Sequence, residues 1–149
     1  MKDVFIDTTP AVTSVPLEYL DTVWPQVKGF VDRAVKTQDD TFTTTSVYED
    51  IKRKFYMLWI AVSDGVIILA FTTRILEYPN RRALAIDWVG GRGAVEIMSI
   101  LQDTLREYAK ANNCKHLEGC GRRGWGRVLE RHGWKPEYTA YRMELSDDR

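Results

Sequence analysis

The sequence predicts an α+β fold in which helices cover both faces of a mixed and mostly antiparallel sheet. Extended apolar segments at residues 57–62, 66–76 and 83–89 follow one another through short turns, which is typical of an antiparallel meander. A long amphipathic helix then separates the third segment from another extended segment at residues 115–120. Because a connection through a helix joins parallel strands, we expect those two segments to be parallel neighbours.

Composition predicts one globular domain over residues 1–149. Hydrophobic residues make up 44% of the chain and charged residues 28%, and 21 acidic residues balance 21 basic ones. No net charge therefore draws the protein to nucleic acid or to an anionic membrane. The longest apolar run, residues 66–71, is far too short to cross a bilayer. We expect neither nucleic acid nor a membrane as a partner.

The cysteines and the N-terminus predict a cytoplasmic protein. Cys114 and Cys120 are the only cysteines, and the first ten residues contain neither a charged leader nor an apolar run of signal length. The spacing of these cysteines to His116 and His132 matches no common zinc pattern. We therefore expect reduced thiols and no metal site.

The N-terminal third predicts a short strand and two helices. The strand is an apolar run at residues 4–6. Pro25 suits the first turn of the first helix, and Ser46 with Glu49 has the spacing of a capping box at the start of the second. The apolar faces of these helices consist of Trp24, Val27, Val31, Ala34 and Val35 in the first and Val47, Ile51 and Phe55 in the second.

The remainder of the chain predicts a long helix, a short helix and a final strand besides the four extended segments. Residues 63–65 are a turn between the first two extended segments. The long helix begins at Ala94 and ends before Asn112, and residues 123–132 form the short helix. Polar and apolar side chains alternate over residues 139–145, which predicts a last strand.

The sharpest local signal is the glycine-rich corner between the third meander strand and the long helix. Glycine lets a backbone approach a ligand closely, and the free N–H groups of a helix start favour an anion. These features predict a phosphate or pyrophosphate site, although a plain strand-to-helix turn also explains the glycines. The corner consists of Val89, Gly90, Gly91, Arg92, Gly93 and Ala94.

Three stretches carry a resemblance to a known family: LWIAVSDGVIILAFTTRILEYPNRR, WVGGRG and GRRGWGRVLERHGW. Together with the order of the predicted elements, they resemble the GNAT superfamily of N-acyltransferases. More narrowly, they resemble small GNAT-like proteins encoded by tailed phages and prophages. The resemblance implies acetyl-CoA as the acyl donor, with its pyrophosphate held by the backbone amides of the glycine corner.

The sequence departs from the family pattern at two points. The family loop reads [QR]-x-x-G-x-[GA]. When Gly91 and Gly93 are taken as its two glycines, Trp88 occupies the position of the Gln or Arg. The family's C-terminal motif often contains a Tyr that protonates the leaving thiolate, and Leu129 occupies that position here. Leucine cannot donate a proton, so the usual general acid is missing.

Three residues are candidates for the catalytic groups that acyl transfer to an amine requires. Asp87 and Glu118 lie where the two parallel strands would separate around a thioester, so either is a candidate base. Tyr141, on the predicted last strand, is a candidate acid, and water is the alternative. The carboxylates also fit solvent-facing strand positions, and Tyr141 also fits a core position.

Arg122 and Arg123 open the predicted short helix within a second glycine-rich run. Such a cluster predicts an anion contact, either with the 3′-phosphate end of CoA or with an acidic substrate. It also fits an ordinary solvated loop.

Two functions remain open at this point. One is a CoA-dependent N-acyltransferase that acts on an amine of a small molecule or a protein. The other is a GNAT-fold protein without catalysis that serves as a binding or structural component, for example of a phage particle, and is found in the host cytoplasm or the virion. The glycine corner favours the first, whereas Leu129 and the irregular loop favour the second.

Overall fold

The structure is a computed structural model that describes residues 10–38, 41–121 and 123–146. The strand predicted at residues 4–6 lies outside these ranges. The elements in chain order are β1 (Ala11–Ser14), α1 (Leu20–Val35), α2 (Thr44–Lys52), β2 (Met57–Ser63), β3 (Val66–Glu77), β4 (Arg82–Gly91), α3 (Met98–Ala111), β5 (Cys114–Gly119) and α4 (Gly126–Arg131), with single 3₁₀ turns at Leu17–Tyr19, Lys36–Gln38 and Arg123–Trp125.

The five strands form one sheet in the order β1-β2-β3-β4-β5. Neighbouring strands from β1 to β4 are antiparallel, and β4 and β5 are parallel. The predicted mixed sheet and its parallel pair are therefore confirmed. The hairpin between β2 and β3 turns through Asp64 and Gly65, whose φ angles of 52° and 75° are both positive, as a type I′ turn requires.

The helices cover both faces of the sheet, as predicted. On one face, α1 and α2 bury Val27 and Val47 in a core that includes Trp88 of β4. On the other face, α3 buries Leu105 in a core that includes Phe71 of β3. The middle of β2 and of β3 is buried on both faces, which explains the continuous apolar runs of these strands.

The first helix begins earlier than predicted, and Phe55 lies outside the second. α1 starts at Leu20, so Pro25 lies inside the helix rather than in its first turn. The earlier start brings Leu20, only 2% exposed, into the core. Phe55 lies beyond the end of α2 and is 50% exposed, so the four-residue repeat does not extend to it.

The start of α2 also differs from the prediction. The hydroxyl oxygen of Thr43 accepts a hydrogen bond from the N–H of Ser46, and the hydroxyl oxygen of Ser46 accepts one from the N–H of Thr43, both at 2.9 Å. The capping box therefore pairs Thr43 with Ser46, three residues before the predicted pair of Ser46 and Glu49. The earlier start lets each of the two side chains satisfy a backbone N–H that a helix end leaves without a partner.

We expect Thr43→Ala to lower the free energy of unfolding by about 1 kcal/mol, because the substitution removes the capping oxygen. Chemical denaturation measures this change. Thr45→Ala is the matched control, since Thr45 is an exposed residue of the same turn and is not the capping residue. It should stay within about 0.5 kcal/mol of the wild type. Equal losses in the two variants would contradict the assigned cap.

Two predictions in the C-terminal half need correction. α3 begins at Met98 rather than at Ala94, and β4 continues through Gly91, so two of the three corner glycines belong to a strand. Residues 139–145 do not form a strand, and every residue from 135 to 146 is exposed. Alternating side chains favour an extended backbone, but a strand also needs a neighbour to pair with, and residues 139–145 have no strand neighbour among the described residues.

Candidate functional site

A bulge in β4 creates the site. Two residues of β4, Asp87 and Trp88, lie opposite the single residue Thr72 of β3. The N–H of Trp88 donates to the hydroxyl oxygen of Thr72 at 3.2 Å. The parallel pairing of β4 with β5 ends at the same level, at Ile86 and Gly119. The two strands therefore separate from the point where the bulge begins.

A cavity of about 340 Å³ occupies the space between the separated strands. Both faces of the sheet contribute to its wall, because Ala34 of α1 and Leu101 of α3 both line it. The opening therefore passes between the strands rather than lying on one face. From β4, β5 and the chain after β5, the lining residues are Ile86, Asp87, Trp88, Val89, Gly119, Cys120 and Gly121.

Asp87 is the predicted base that lines this cavity. Its carboxylate accepts a hydrogen bond from the Nε of Arg74 at 3.0 Å, and its side chain is 19% exposed. Burial raises the pKa of Asp87 above the usual range of an aspartate, while the Arg74 guanidinium opposes that rise. A carboxylate with a raised pKa at the wall of a cavity has the character of a general base.

Glu118 lies beside Asp87 but does not line the cavity. Arg74, Ala85 and Glu118 are opposite one another on three neighbouring strands, so Arg74 and Glu118 share one face of the sheet. The Glu118 carboxylate accepts hydrogen bonds from the Tyr78 hydroxyl at 2.9 Å and pairs with the Nε2 of His116 at 2.9 Å. These partners hold Glu118 in place, and its charge contributes to the raised pKa of Asp87.

Tyr56 belongs to the same region, and the sequence analysis missed it. It is 6% exposed, and burial is the main cause of its raised pKa, to which the Asp87 carboxylate adds. The Trp88 Nε1 has no hydrogen-bond partner among the described residues. Tyr56 lies between α2 and β2, and no local pattern shows that β4 brings Trp88 and Asp87 close to it.

The first two corner glycines are packed against neighbouring backbone. A Cβ on Gly90 would lie 2.1 Å from the carbonyl oxygen of Phe30 in α1, and a Cβ on Gly91 would lie 2.4 Å from the carbonyl oxygen of Ile68 in β3. The N–H of Arg92 donates to that Ile68 oxygen at 2.8 Å, so it is already used. These glycines therefore have a structural reason that the sequence analysis did not identify: α1 and β3 approach the strand too closely for a side chain.

The free amides of the corner lie slightly later in the chain than predicted. The N–H groups of residues 93–96 donate to no other group in the described part of the chain. Gly93 has a φ of 77° and has space around it, with the carboxylate of Glu96 3.9 Å from a Cβ built there. Ala94 lines the cavity beside these amides. Four N–H groups at the approach to α3 suit a phosphate, provided that the Glu96 carboxylate turns away.

The remaining predicted site residues fall into three groups. Leu129 lines the cavity, so the residue at the family's acid position is at the site and is apolar. Tyr141 is 92% exposed, does not line the cavity and lies on no strand. Arg123 begins the 3₁₀ turn before α4, and Arg122 lies outside the described residues. Their predicted role as an anion contact stays a prediction.

The C-terminal tail runs from the cavity wall at Trp134 toward Thr41, beyond the end of α1. Trp134 is held to α3, because its Nε1 donates to the Oε1 of Gln102 at 2.7 Å. Further along, the neighbouring Cys120 side chain raises the pKa of the Tyr138 hydroxyl. Arg142 then donates to the hydroxyl of Thr41, beyond the end of α1, at 3.3 Å. Tyr138, rather than the predicted Tyr141, is therefore the late tyrosine beside the cavity wall.

Two structural absences complete the description of the site. Over residues 10–38, 41–121 and 123–146, no helix is long and apolar enough to span a membrane. Over the same ranges, no group of three or more His, Cys, Asp or Glu side chains could hold a metal ion. Cys114 and Cys120 are both free thiols, the first buried and the second exposed.

Solved structures similar to this chain include several acetyltransferases. A probable acetyltransferase has a TM-score of 0.68 at 13% identity, covering 93% of this chain and 99% of its own. An aminoglycoside acetyltransferase from an uncultured soil metagenomic sample, in complex with sisomicin, has a TM-score of 0.65 at 9% identity, covering 95% and 100%. A predicted acetyltransferase with acetyl-CoA from Clostridium acetobutylicum has a TM-score of 0.60 at 13% identity, covering 93% and 96%. No family model and no curated protein matches the sequence.

Proposed function

We propose that this chain, which has the fold of the GNAT acetyltransferases, is itself an N-acyltransferase that uses an acyl-CoA donor, with acetyl-CoA as the first candidate. The observation that carries the proposal is the cavity between the separated ends of β4 and β5, with Asp87 in its wall. The similar structures support a CoA donor and an amine acceptor, since one contains acetyl-CoA and another contains sisomicin.

The residues of the corner fit the donor's pyrophosphate. The amides of residues 93–96 have no protein partner within the described ranges, and Gly93 leaves space beside them. An anion at these amides is stabilised by N–H groups that would otherwise face only solvent. The acyl end of the donor would then occupy the cavity, where Ala94 marks the side nearest the amides.

The proposed reaction begins at Asp87. The carboxylate takes a proton from the acceptor's ammonium group, directly or through a water, so that the neutral amine attacks the thioester carbonyl. The tetrahedral intermediate then collapses: the C–S bond breaks, the nitrogen gives up its second proton to water, and the thiolate takes a proton from water. Leu129, in the cavity wall, cannot supply that proton. Glu118, held by Tyr78 and His116, contributes negative charge that favours a cationic acceptor at this face.

The proposed acceptor is an amine of a small molecule or of a protein. The non-catalytic alternative, including a component of a phage particle, rests on Leu129 and on the irregular glycine loop. The partly buried Asp87 at the cavity favours the enzyme. Tight binding of the donor without turnover on any amine would instead favour the alternative.

Isothermal titration with acetyl-CoA tests the donor site. We expect binding by the wild type, and we expect Gly93→Ala to weaken it at least ~10-fold because a side chain would crowd the free amides. Gly65→Ala is the matched control, since its φ of 75° is close to the 77° of Gly93 and nothing lies within 4 Å of its Cβ position. Both variants carry the same backbone strain, but only Gly93→Ala changes the corner whose amides are proposed to bind the donor. No heat with wild-type protein at millimolar donor would overturn the proposed function.

A further inference from the structure

Residues 139–145 of the C-terminal tail have the sequence of a strand but no strand neighbour in the described part of the chain. Over residues 139–145 polar and apolar side chains alternate, and the apolar side chains Tyr141, Met143 and Leu145 are 92%, 84% and 89% exposed. No backbone group of residues 135–145 forms a hydrogen bond with another described residue. A peptide that exposes one apolar face and an unpaired backbone is suited to pairing with a sheet edge.

An open edge of matching length exists in the same chain. β5 is the last strand of the sheet, so its outer edge pairs with no other strand among the described residues. β5 has six residues and the tail segment has seven, so each spans roughly 20 Å at about 3.3 Å per residue. The edge and the tail could therefore form a continuous ladder of backbone hydrogen bonds.

Within one chain, the tail leaves this edge instead of following it. Tyr138 lies beside Cys120, directly after the end of β5. From there the tail runs to Thr41, where Arg142 donates its hydrogen bond. Thr41 precedes Phe42, whose ring contacts Trp88 of β4 at 5.0 Å between centroids. The tail thus crosses toward β4, and within the described ranges neither its apolar face nor the outer edge of β5 has a strand partner.

We propose that residues 139–145 pair with the outer edge of β5 in a second copy of this chain, so that two copies exchange their C-terminal tails. One chain carries both the open edge and the free strand, and a reciprocal exchange about a two-fold axis satisfies both in each copy. Pairing adds a sixth strand to each sheet and covers Tyr141, Met143 and Leu145. The interaction is independent of the proposed acyl transfer.

Light scattering during size-exclusion chromatography, repeated across a dilution series, tests the exchange. We expect a species of twice the 17.2 kDa of one chain. Met143→Pro should raise the dissociation constant of that dimer at least ~100-fold, because proline removes a backbone N–H from the ladder and an apolar side chain from the interface. Met143→Leu, which keeps both the N–H and the apolar character, should leave the dimer intact. Far-UV circular dichroism on both variants verifies that the domain remains folded.

Hydrogen exchange distinguishes the possible pairings of the tail. We expect the amides of residues 139–145 to be protected in the wild-type dimer and unprotected in Met143→Pro. A monomer with a protected tail would mean that the strand pairs within its own chain, and a monomer with an unprotected tail would mean that no pairing occurs. A dimer that Met143→Pro leaves unchanged would place the interface elsewhere. Each of these three results overturns the proposal.

Discussion

Asp87→Asn is expected to lower the turnover of acyl transfer at least ~100-fold, the usual scale for the loss of a general base. Asparagine has nearly the same shape and can still face Arg74, but it cannot take a proton from an ammonium group. Donor binding should persist, because the free amides of residues 93–96 lie on the loop after β4 and not at Asp87. The measurement is steady-state release of CoA with a panel of amines, together with titration of acetyl-CoA into the variant.

The pH dependence makes this prediction specific. Burial raises the pKa of Asp87, so its carboxylate ionises at a higher pH than an exposed aspartate. Since the base must be ionised to accept a proton, the rate should rise as pH increases through that raised pKa and then level off. The rate of Asp87→Asn should not show this rise with pH, because asparagine does not ionise. A variant that retains both the turnover and the rising limb would show that another group is the base.

Glu118→Gln is the matched control for the base. Glutamine keeps the length of the side chain and can still accept from Tyr78, but it removes a negative charge beside Asp87. Because the charge of Glu118 helps to raise the pKa of Asp87, the rising limb should move to lower pH while most of the turnover at high pH remains. If Glu118→Gln abolished turnover and Asp87→Asn did not, the two carboxylates would have exchanged roles.

Gly90→Ala is expected to lower the free energy of unfolding by at least about 3 kcal/mol. The new Cβ would lie 2.1 Å from the Phe30 carbonyl oxygen, and that oxygen belongs to the backbone of α1 and cannot rotate away. Relief therefore requires α1 to move off β4, which would expose the core that Val27 and Val31 share with Trp88. Urea denaturation of the variant and the wild type measures the difference.

Gly29→Ala provides the contrasting control for Gly90. Gly29 is an exposed residue of α1 next to Phe30, and nothing lies within 4 Å of its Cβ position. Alanine at that helical position should stabilise the protein by up to about 1 kcal/mol. The two substitutions add the same methyl group at neighbouring places in the fold. We expect Gly29→Ala to raise the free energy of unfolding and Gly90→Ala to lower it. A Gly90→Ala protein as stable as the wild type would show that α1 and β4 are not as close as the structure has them.

The two glycines of β4 show the limit of reading a glycine-rich corner from sequence. Close approach to a ligand and close approach to another segment both require glycine, and the spacing Gly90-Gly91-x-Gly93 is the same in either case. The structure distinguishes the two cases. Gly90 and Gly91 accommodate neighbouring backbone, whereas Gly93 has space beside amides without protein partners among the described residues. The partners Phe30 and Ile68 are distant in the chain, so no local pattern identifies them.

The sequence by itself determined strands β2 to β5 and the helices that cover the sheet, because those features depend on contacts near in the chain. It did not predict β1 at Ala11–Ser14. Apolar runs and the Asp64-Gly65 turn predict the β2–β3 hairpin, and the long helix after β4 predicts the parallel position of β5. It also predicted the position of Asp87 at the end of the parallel pair, and its role as a base stays a prediction. Only the tertiary structure decided that β4 bulges opposite Thr72, that Asp87 is only 19% exposed beside Arg74 and that the tail crosses toward Thr41. Each of these depends on contacts between residues far apart in the chain, and such contacts leave no period or motif at either end.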